Sequence, residues 1–173
     1  MDKKRQLKMI FSPEAICAAS LPQGYTAVSF QKAHTADWLS ICRCGLFPAD
    51  ADLAFAEKEL ASFPFLREGD ILFAEDASGE KIATACGMLL PSSEGYLHWI
   101  CAKPQARGSG VASALILHMA SVLLTRGASC VFLTTDDHRL AAIKTYLRIG
   151  LRPVIDNQEM EERWKRIFKE LGM

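Results

Sequence analysis

Residues 96–124 hold the feature that most restricts the fold: two apolar runs joined by a turn that carries glycine twice. Residues 96–101 read as a strand and residues 111–124 as a helix. Between them lies Ala102-Lys103-Pro104-Gln105-Ala106-Arg107-Gly108-Ser109-Gly110. Gly108 and Gly110 let backbone N–H groups crowd together at the helix start without side chains in the way. Such a start presents unpaired donors and the positive end of the helix dipole. The turn is therefore an anion site, and phosphate is its commonest biological occupant.

The rest of the chain supplies a sheet for that unit. Ser12 before Pro13 reads as the cap of a short helix over residues 12–19. Tyr25, Val28 and Phe30 mark a first strand. A helix is expected from Thr35 to a stop at Gly45. A second is expected from Pro48, with Leu53, Ala56 and Leu60 on one stripe. Phe63-Pro64-Phe65-Leu66 reads as core packing, with an acceptor-pocket wall as the other reading. Strands over 71–75, 82–90 and 96–101 form an antiparallel meander that opens with a hairpin at Gly79. His98 and Trp99, adjacent on the last of these, are expected on opposite faces. Beyond the long helix come Gly127 as a C′ residue, a strand over 129–134, a helix from Asp136-Asp137 to Gly150, and a strand over 151–155. Met160, Trp164, Ile167, Phe168 and Leu171 make an amphipathic final helix, packed on the domain or on a partner subunit. The fold class is α/β, a mixed central sheet with helices on both faces, in one domain over residues 1–173.

Composition excludes some partners. Twenty basic residues balance twenty acidic ones, so there is no broad electrostatic footprint for nucleic acid. No apolar run approaches the roughly 20 residues that span a bilayer, and no signal-peptide core follows the charged start. The expected location is cytoplasmic, without membrane contact. The six cysteines then read as reduced structural thiols. Cys42-Arg43-Cys44 lacks zinc-site spacing, and His34, His118 and His138 have no partner spacing, so no metal is expected.

Three phosphate carriers compete for the turn. A P-loop needs Gly-Lys-Ser/Thr at its end, and no such lysine follows these glycines. Gly108-Ser109-Gly110-Val111-Ala112-Ser113 is close to a dinucleotide fingerprint, and Asp136 or Asp137 sits where a ribose-binding acid belongs. Against that reading, residues 103–107 separate strand from glycine, and too little chain follows to build the fold.

The third reading uses every part of the stretch. Gln105-x-x-Gly108-x-Gly110 with Arg107, followed by Val111-Ala112-x-x-Leu115, resembles the acyl-CoA pyrophosphate motif of the GNAT N-acetyltransferase superfamily. Arg139-x-x-Ala142-Ile143-x-x-Tyr146-x-x-x-Gly150-Leu151-x-Pro153 resembles that family's second signature. Here Arg139 stands where many members carry asparagine, and Leu151 stands for the usual phenylalanine. The likeness is close over residues 96–155, the expected acyl-CoA-binding core. Residues 1–95 form the acceptor-side half and residues 156–173 the C-terminal helix.

The resemblance implies a sheet with splayed central strands and acetyl-CoA as co-substrate, without a metal. Gln105 and the amides of Ala106, Arg107, Gly108, Ser109, Gly110, Val111 and Ala112 would cradle the pyrophosphate. Backbone groups at Ile100 and Ala102 would pair with the pantetheine arm, and one N–H there would polarise the thioester carbonyl. Arg139 would meet a phosphate or pair with Asp136 or Asp137. Tyr146 would protonate the departing thiolate. The acceptor would be a small-molecule or peptide amine, in a pocket built by residues 45–66 and the loop after Leu90. No base is named among Glu75, Asp76, Glu94 and His98, the last read as structural. The alternative is a non-catalytic acyl-CoA-binding module. The C-terminal stripe leaves a homodimer open.

Overall fold

The computed structural model describes residues 5–11, 16, 19–67 and 69–173. Apart from Ile16 and Ala19, the helix expected over 12–19 lies outside the described residues. The elements are β1 (Leu7–Phe11), β2 (Tyr25–Ser29), α1 (Thr35–Cys42), α2 (Leu53–Ala61), β3 (Ile71–Asp76), β4 (Lys81–Leu89) and β5 (Glu94–Ala102). There follow α3 (Val111–Thr125), β6 (Cys130–Thr135), α4 (Leu140–Arg148), β7 (Leu151–Pro153) and α5 (Gln158–Leu171).

Local chemistry sets several of these boundaries. α2 begins at Leu53 and not at Pro48, because the Asp52 carboxylate accepts the Phe55 N–H at 2.8 Å and caps the helix there. That start rotates Leu53 outward, 51% exposed, and leaves Ala56 as the buried residue of the expected stripe. α5 is capped in the same way by Asn157, which accepts the Met160 N–H at 2.9 Å. It ends on Gly172 in the left-handed region.

Among the described residues seven strands form one sheet in the order β2-β3-β4-β5-β6-β1-β7. The β3-β4-β5 meander is as expected, and β5–β6 is the parallel pair that brackets α3. A dinucleotide fold builds on a run of parallel strands; here the other pairings are antiparallel, which removes that rival. The strand not expected is β1. It runs antiparallel between β6 and β7, pairing Leu7 with Thr135 and Phe11 with Leu151.

Two apolar layers sandwich the sheet. On one face α3, α4 and α5 bury Leu115, Met119, Ile143, Trp164 and Ile167. On the other, α1 and α2 bury Trp38, Ile41 and Ala56 against Phe73, Met88 and Trp99. α3 lies close because strand glycines floor it. A Cβ on Gly95 would stand 3.1 Å from Leu123 Cβ, and one on Gly87 would stand 2.8 Å from Met119 Cε. Both contacts lie in the C-terminal half of α3, which settles directly on β4 and β5. α5 packs on this domain through Met160, Trp164 and Ile167. Arg163, 2% exposed, binds Asp137 at 2.5 Å and the Arg5 carbonyl at 2.9 Å. A buried guanidinium is tolerated only when so paired, so this contact ties both ends of the described chain to the β6–α4 loop.

Candidate active site

β5 and β6 pair from Glu94↔Cys130 to Leu97↔Leu133 and then separate. Beyond that point β5 continues to Ala102 along β4 alone, so its other edge faces open space. Two adjoining cavities occupy the gap. A cleft of about 580 Å³ runs from Ile100 and Ala102 to the α3 start and α4. A chamber of about 260 Å³ lies between α2, β5 and β6. Leu46, Ile100, Arg139 and Tyr146 border both.

The turn before α3 fits a diphosphate. Gly108 and Gly110 have φ of +82° and +83°, which side chains disfavour. A Cβ on Gly108 would meet none of the described residues within 4 Å. The N–H groups of Ala106, Arg107 and Ser109 bond back to Lys103, Pro104 and Ala106 carbonyls, and that of Val111 to the Ser109 hydroxyl. Those of Gly108, Gly110, Ala112 and Ser113 have no partner among the described residues, and all four residues line the cleft. Free donors at the start of a 15-residue helix are what an anion requires.

The expected cradle residues thus divide. Gly108, Gly110 and Ala112 present amides to the cleft, joined by Ser113, which the sequence reading did not include. Gln105 turns its side chain to Glu80 at 3.4 Å, Ser109 donates its hydroxyl to the Ala106 carbonyl at 2.7 Å, and Val111 is fully buried. These three build the turn rather than face the cleft. Arg107 and Arg139 border the cleft and donate to carbonyls of the α1–α2 loop, at Cys44 (3.2 Å) and Gly45 (2.9 Å). Arg139 also pairs with Asp136 at 3.1 Å. Burial pushes the Asp136 carboxyl up, and hydrogen bonds from Gln6 and Arg139 outweigh it, leaving it below the usual carboxylate range.

Tyr146 lies on α4, 7% exposed, where the two cavities meet. Its hydroxyl has no hydrogen-bond partner among the described residues. Burial pushes its pKa up to about 12, against a lowering pull from Arg139. The phenol therefore stays protonated throughout the physiological range and can donate to an anion that forms beside it.

The chamber corrects the expectation for His98 and Trp99. The β4–β5 register shifts between Thr84 and Cys86, and Trp99 has φ +44°. This bulge inserts one residue and breaks the two-residue alternation. Both rings fall on the α1–α2 face, 4.8 Å apart, with Phe63 5.0 Å from His98 and 4.9 Å from Trp99. Phe63 and Leu66 are partly buried against this core, whereas Pro64 and Phe65 are exposed, Phe65 at 48% and away from the chamber, so the core-packing expectation holds for only part of residues 63–66. The loop after Leu90 does not border the chamber either; Gln6, next to β1, does.

His98 lines the chamber with Nδ1 3.1 Å from the Tyr96 hydroxyl, which lies 3.0 Å from the Thr134 hydroxyl. Burial lowers its pKa from 6.5 to about 4, so the ring is neutral at physiological pH. The stabilisation is complete above the unfolded value and is lost as pH falls from about 6.5 to about 4. Unfolding free energy should drop across that window by up to about 3 kcal/mol. Urea titrations at the two ends of the window test this. His98→Phe, which keeps the ring stack but cannot titrate, should flatten the slope.

Glu59 was not singled out in the sequence. It shares a face of α2 with Phe55, four residues earlier, and borders the chamber. No local motif marks it; it becomes visible only once α2 lies over β5.

The helix start with free amides beside a parting strand pair, and the phenol between two cavities, sit on a mixed α/β fold of the type found in acetyltransferase structures. The model of the Acetyltransferase (GNAT) family matches residues 33–151. The chain belongs to the GNAT acetyltransferase family. A GCN5-related N-acetyltransferase from Sphaerobacter thermophilus is similar in fold, at 22% identity and a TM-score of 0.70, covering 86% of this chain and 48% of its own. The ribosomal-protein-S18-alanine N-acetyltransferase from Escherichia coli is 21% identical with a TM-score of 0.61, covering 76% and 79%. An acetyltransferase of the GNAT family from Staphylococcus aureus is 12% identical with a TM-score of 0.60, covering 74% and 83%. The chain spans about half the length of several structures that it matches. No curated protein matches it in sequence. No helix among the described residues is long and apolar enough to cross a membrane.

Proposed function

We propose that this chain transfers an acetyl or other short acyl group from acyl-CoA to a primary amine by direct attack. The observation that carries the reading is the junction at Tyr146 and Ile100, which border both the cofactor-sized cleft and the smaller chamber. Acetyl-CoA would supply the acyl carbon and a thiolate leaving group. The free amides of Gly108, Gly110, Ala112 and Ser113 would hold the diphosphate. The open edge of β5 at Ile100 and Ala102 would pair with the amide-bearing arm and offer an N–H to the thioester carbonyl. The amine would approach from the chamber as the free base. Tyr146 would donate to the sulfur as its bond to carbon breaks. The five described cysteines are free thiols, consistent with a cytoplasmic location.

Two measurements test this together. The unfolding temperature should rise with CoA concentration and not with NAD, since only a ligand of the folded state shifts it. Thiol release from acetyl-CoA should then depend on added amine. A shift with NAD but not CoA, or a CoA shift with no amine-dependent thiol release, rejects the transferase reading.

A further inference from the structure

The chamber says more about the acceptor than that it is an amine. Among the described residues, two carboxylates, Glu59 and Asp136, and one guanidinium, Arg139, border it, and its histidine is uncharged. Asp136 is engaged by Arg139 at 3.1 Å and by Gln6 at 3.0 Å. Glu59 has no hydrogen bond or ion pair from its carboxylate among the described residues. The negative charge left over thus sits on the α2 wall, away from the cleft. Beside it stand Phe55, on the same helical face, and Phe47, whose ring meets that of Phe55 at 5.1 Å and 70°. Aromatic rings that line the same chamber as an unpaired carboxylate suit an organic cation.

That cation is not the reacting nitrogen, which must be uncharged to attack and meets the cleft at Ile100 and Tyr146. An acceptor that fills the chamber therefore carries a second amine. The volume of about 260 Å³ holds on the order of nine non-hydrogen atoms at about 30 Å³ for each water-sized group. We propose that the acceptor is a short terminal diamine, with one amine reacting beside Tyr146 and the other held as an ammonium by Glu59, Phe47 and Phe55. In the transfer a nitrogen–carbon bond forms and the carbon–sulfur bond breaks. The proton lost by nitrogen ends on sulfur, and the distal ammonium is unchanged. The inference rests on the transferase reading for its reactive end only.

The test compares three acceptors of one length: the terminal butanediamine, butylamine and γ-aminobutyrate. Each is titrated calorimetrically into the CoA-loaded protein and assayed for thiol release from acetyl-CoA. The diamine should exceed butylamine by about ten- to hundredfold in affinity and in kcat/KM, the range of a hydrogen bond to a charged group. γ-Aminobutyrate should fall below both, since its carboxylate meets Glu59. Glu59→Gln should collapse the preference for the diamine, whereas Glu57→Gln, exposed on α2 outside the chamber, should preserve it. Equal affinity and turnover for diamine and butylamine overturn the cation subsite and leave the transferase reading in place. Tighter diamine binding with no turnover of any amine supports the subsite and overturns the transferase reading.

Discussion

Tyr146→Phe should lower kcat for acyl transfer by about 10²-fold, the low end of what a positioned proton donor contributes. The KM for acetyl-CoA should stay within about twofold, because the phenol matters when the sulfur becomes anionic and not before. The substitution removes one oxygen and keeps the ring, so packing against the α3–α4 layer is conserved. The lost hydroxyl has no protein partner among the described residues to leave unsatisfied. Any loss of rate therefore reports on chemistry rather than folding. The pH profile carries the same information. With burial holding the phenol near a pKa of about 12, the proton donor is lost only as pH rises toward that value. The wild-type rate should climb as the acceptor amine deprotonates and then stay level through ordinary alkaline buffers. Steady-state kinetics of both proteins settle the role. An unchanged kcat for the phenylalanine variant, or a wild-type alkaline decline centred far below 12, removes Tyr146 from the mechanism.

Gly110→Val should weaken CoA binding by about ten- to hundredfold while costing the fold only about 1–2 kcal/mol, the strain of a side chain in the left-handed region. Among the described residues the one heavy atom a Cβ there would reach is Pro22 Cγ at 4.0 Å, so no core packing there is at stake. What stands in that space is the approach to the free amides of Gly108, Ala112 and Ser113. Gly127→Val is the matched control. Its φ of +91° imposes similar strain and a Cβ there would meet none of the described residues within 4 Å, but it lies past the opposite end of α3. Calorimetry with CoA should show a large change for the first variant and little for the second. If both weaken binding equally, the loss comes from general destabilisation and the turn is not the cradle.

The parts of the site that were legible are those written over a few consecutive residues. The two glycines, the apolar helix behind them and the tyrosine on the next helix each act through local backbone geometry. The meander was legible because hairpins join neighbours in sequence. β1 was not. Its five residues alternate correctly, but both partner strands come from more than 120 residues away, and nothing in Leu7–Phe11 announces them. Period two predicted opposite faces for His98 and Trp99 and failed, because the bulge at Trp99 adds a residue that no local pattern signals. Two expected cradle groups, the Gln105 side chain and the Ser109 amide, serve the turn for a related reason. A motif says which residues stand in a loop, and only the folded loop says which of their groups are already used.

Sequence alone marked the proposed donor side of this protein: a glycine turn at a helix start and a phenol on the helix after the next strand. The tertiary structure decided the acceptor half. The chamber's walls come from the α1–α2 loop, α2, β5, β6, the start and body of α4 and the residue before β1, and its charge depends on Arg139 reaching Asp136 but not Glu59. Backbone amides at a turn are aimed by the torsion angles of a few residues, which composition constrains directly. A cavity is the space that long-range packing leaves unfilled, and no local stretch of chain specifies it.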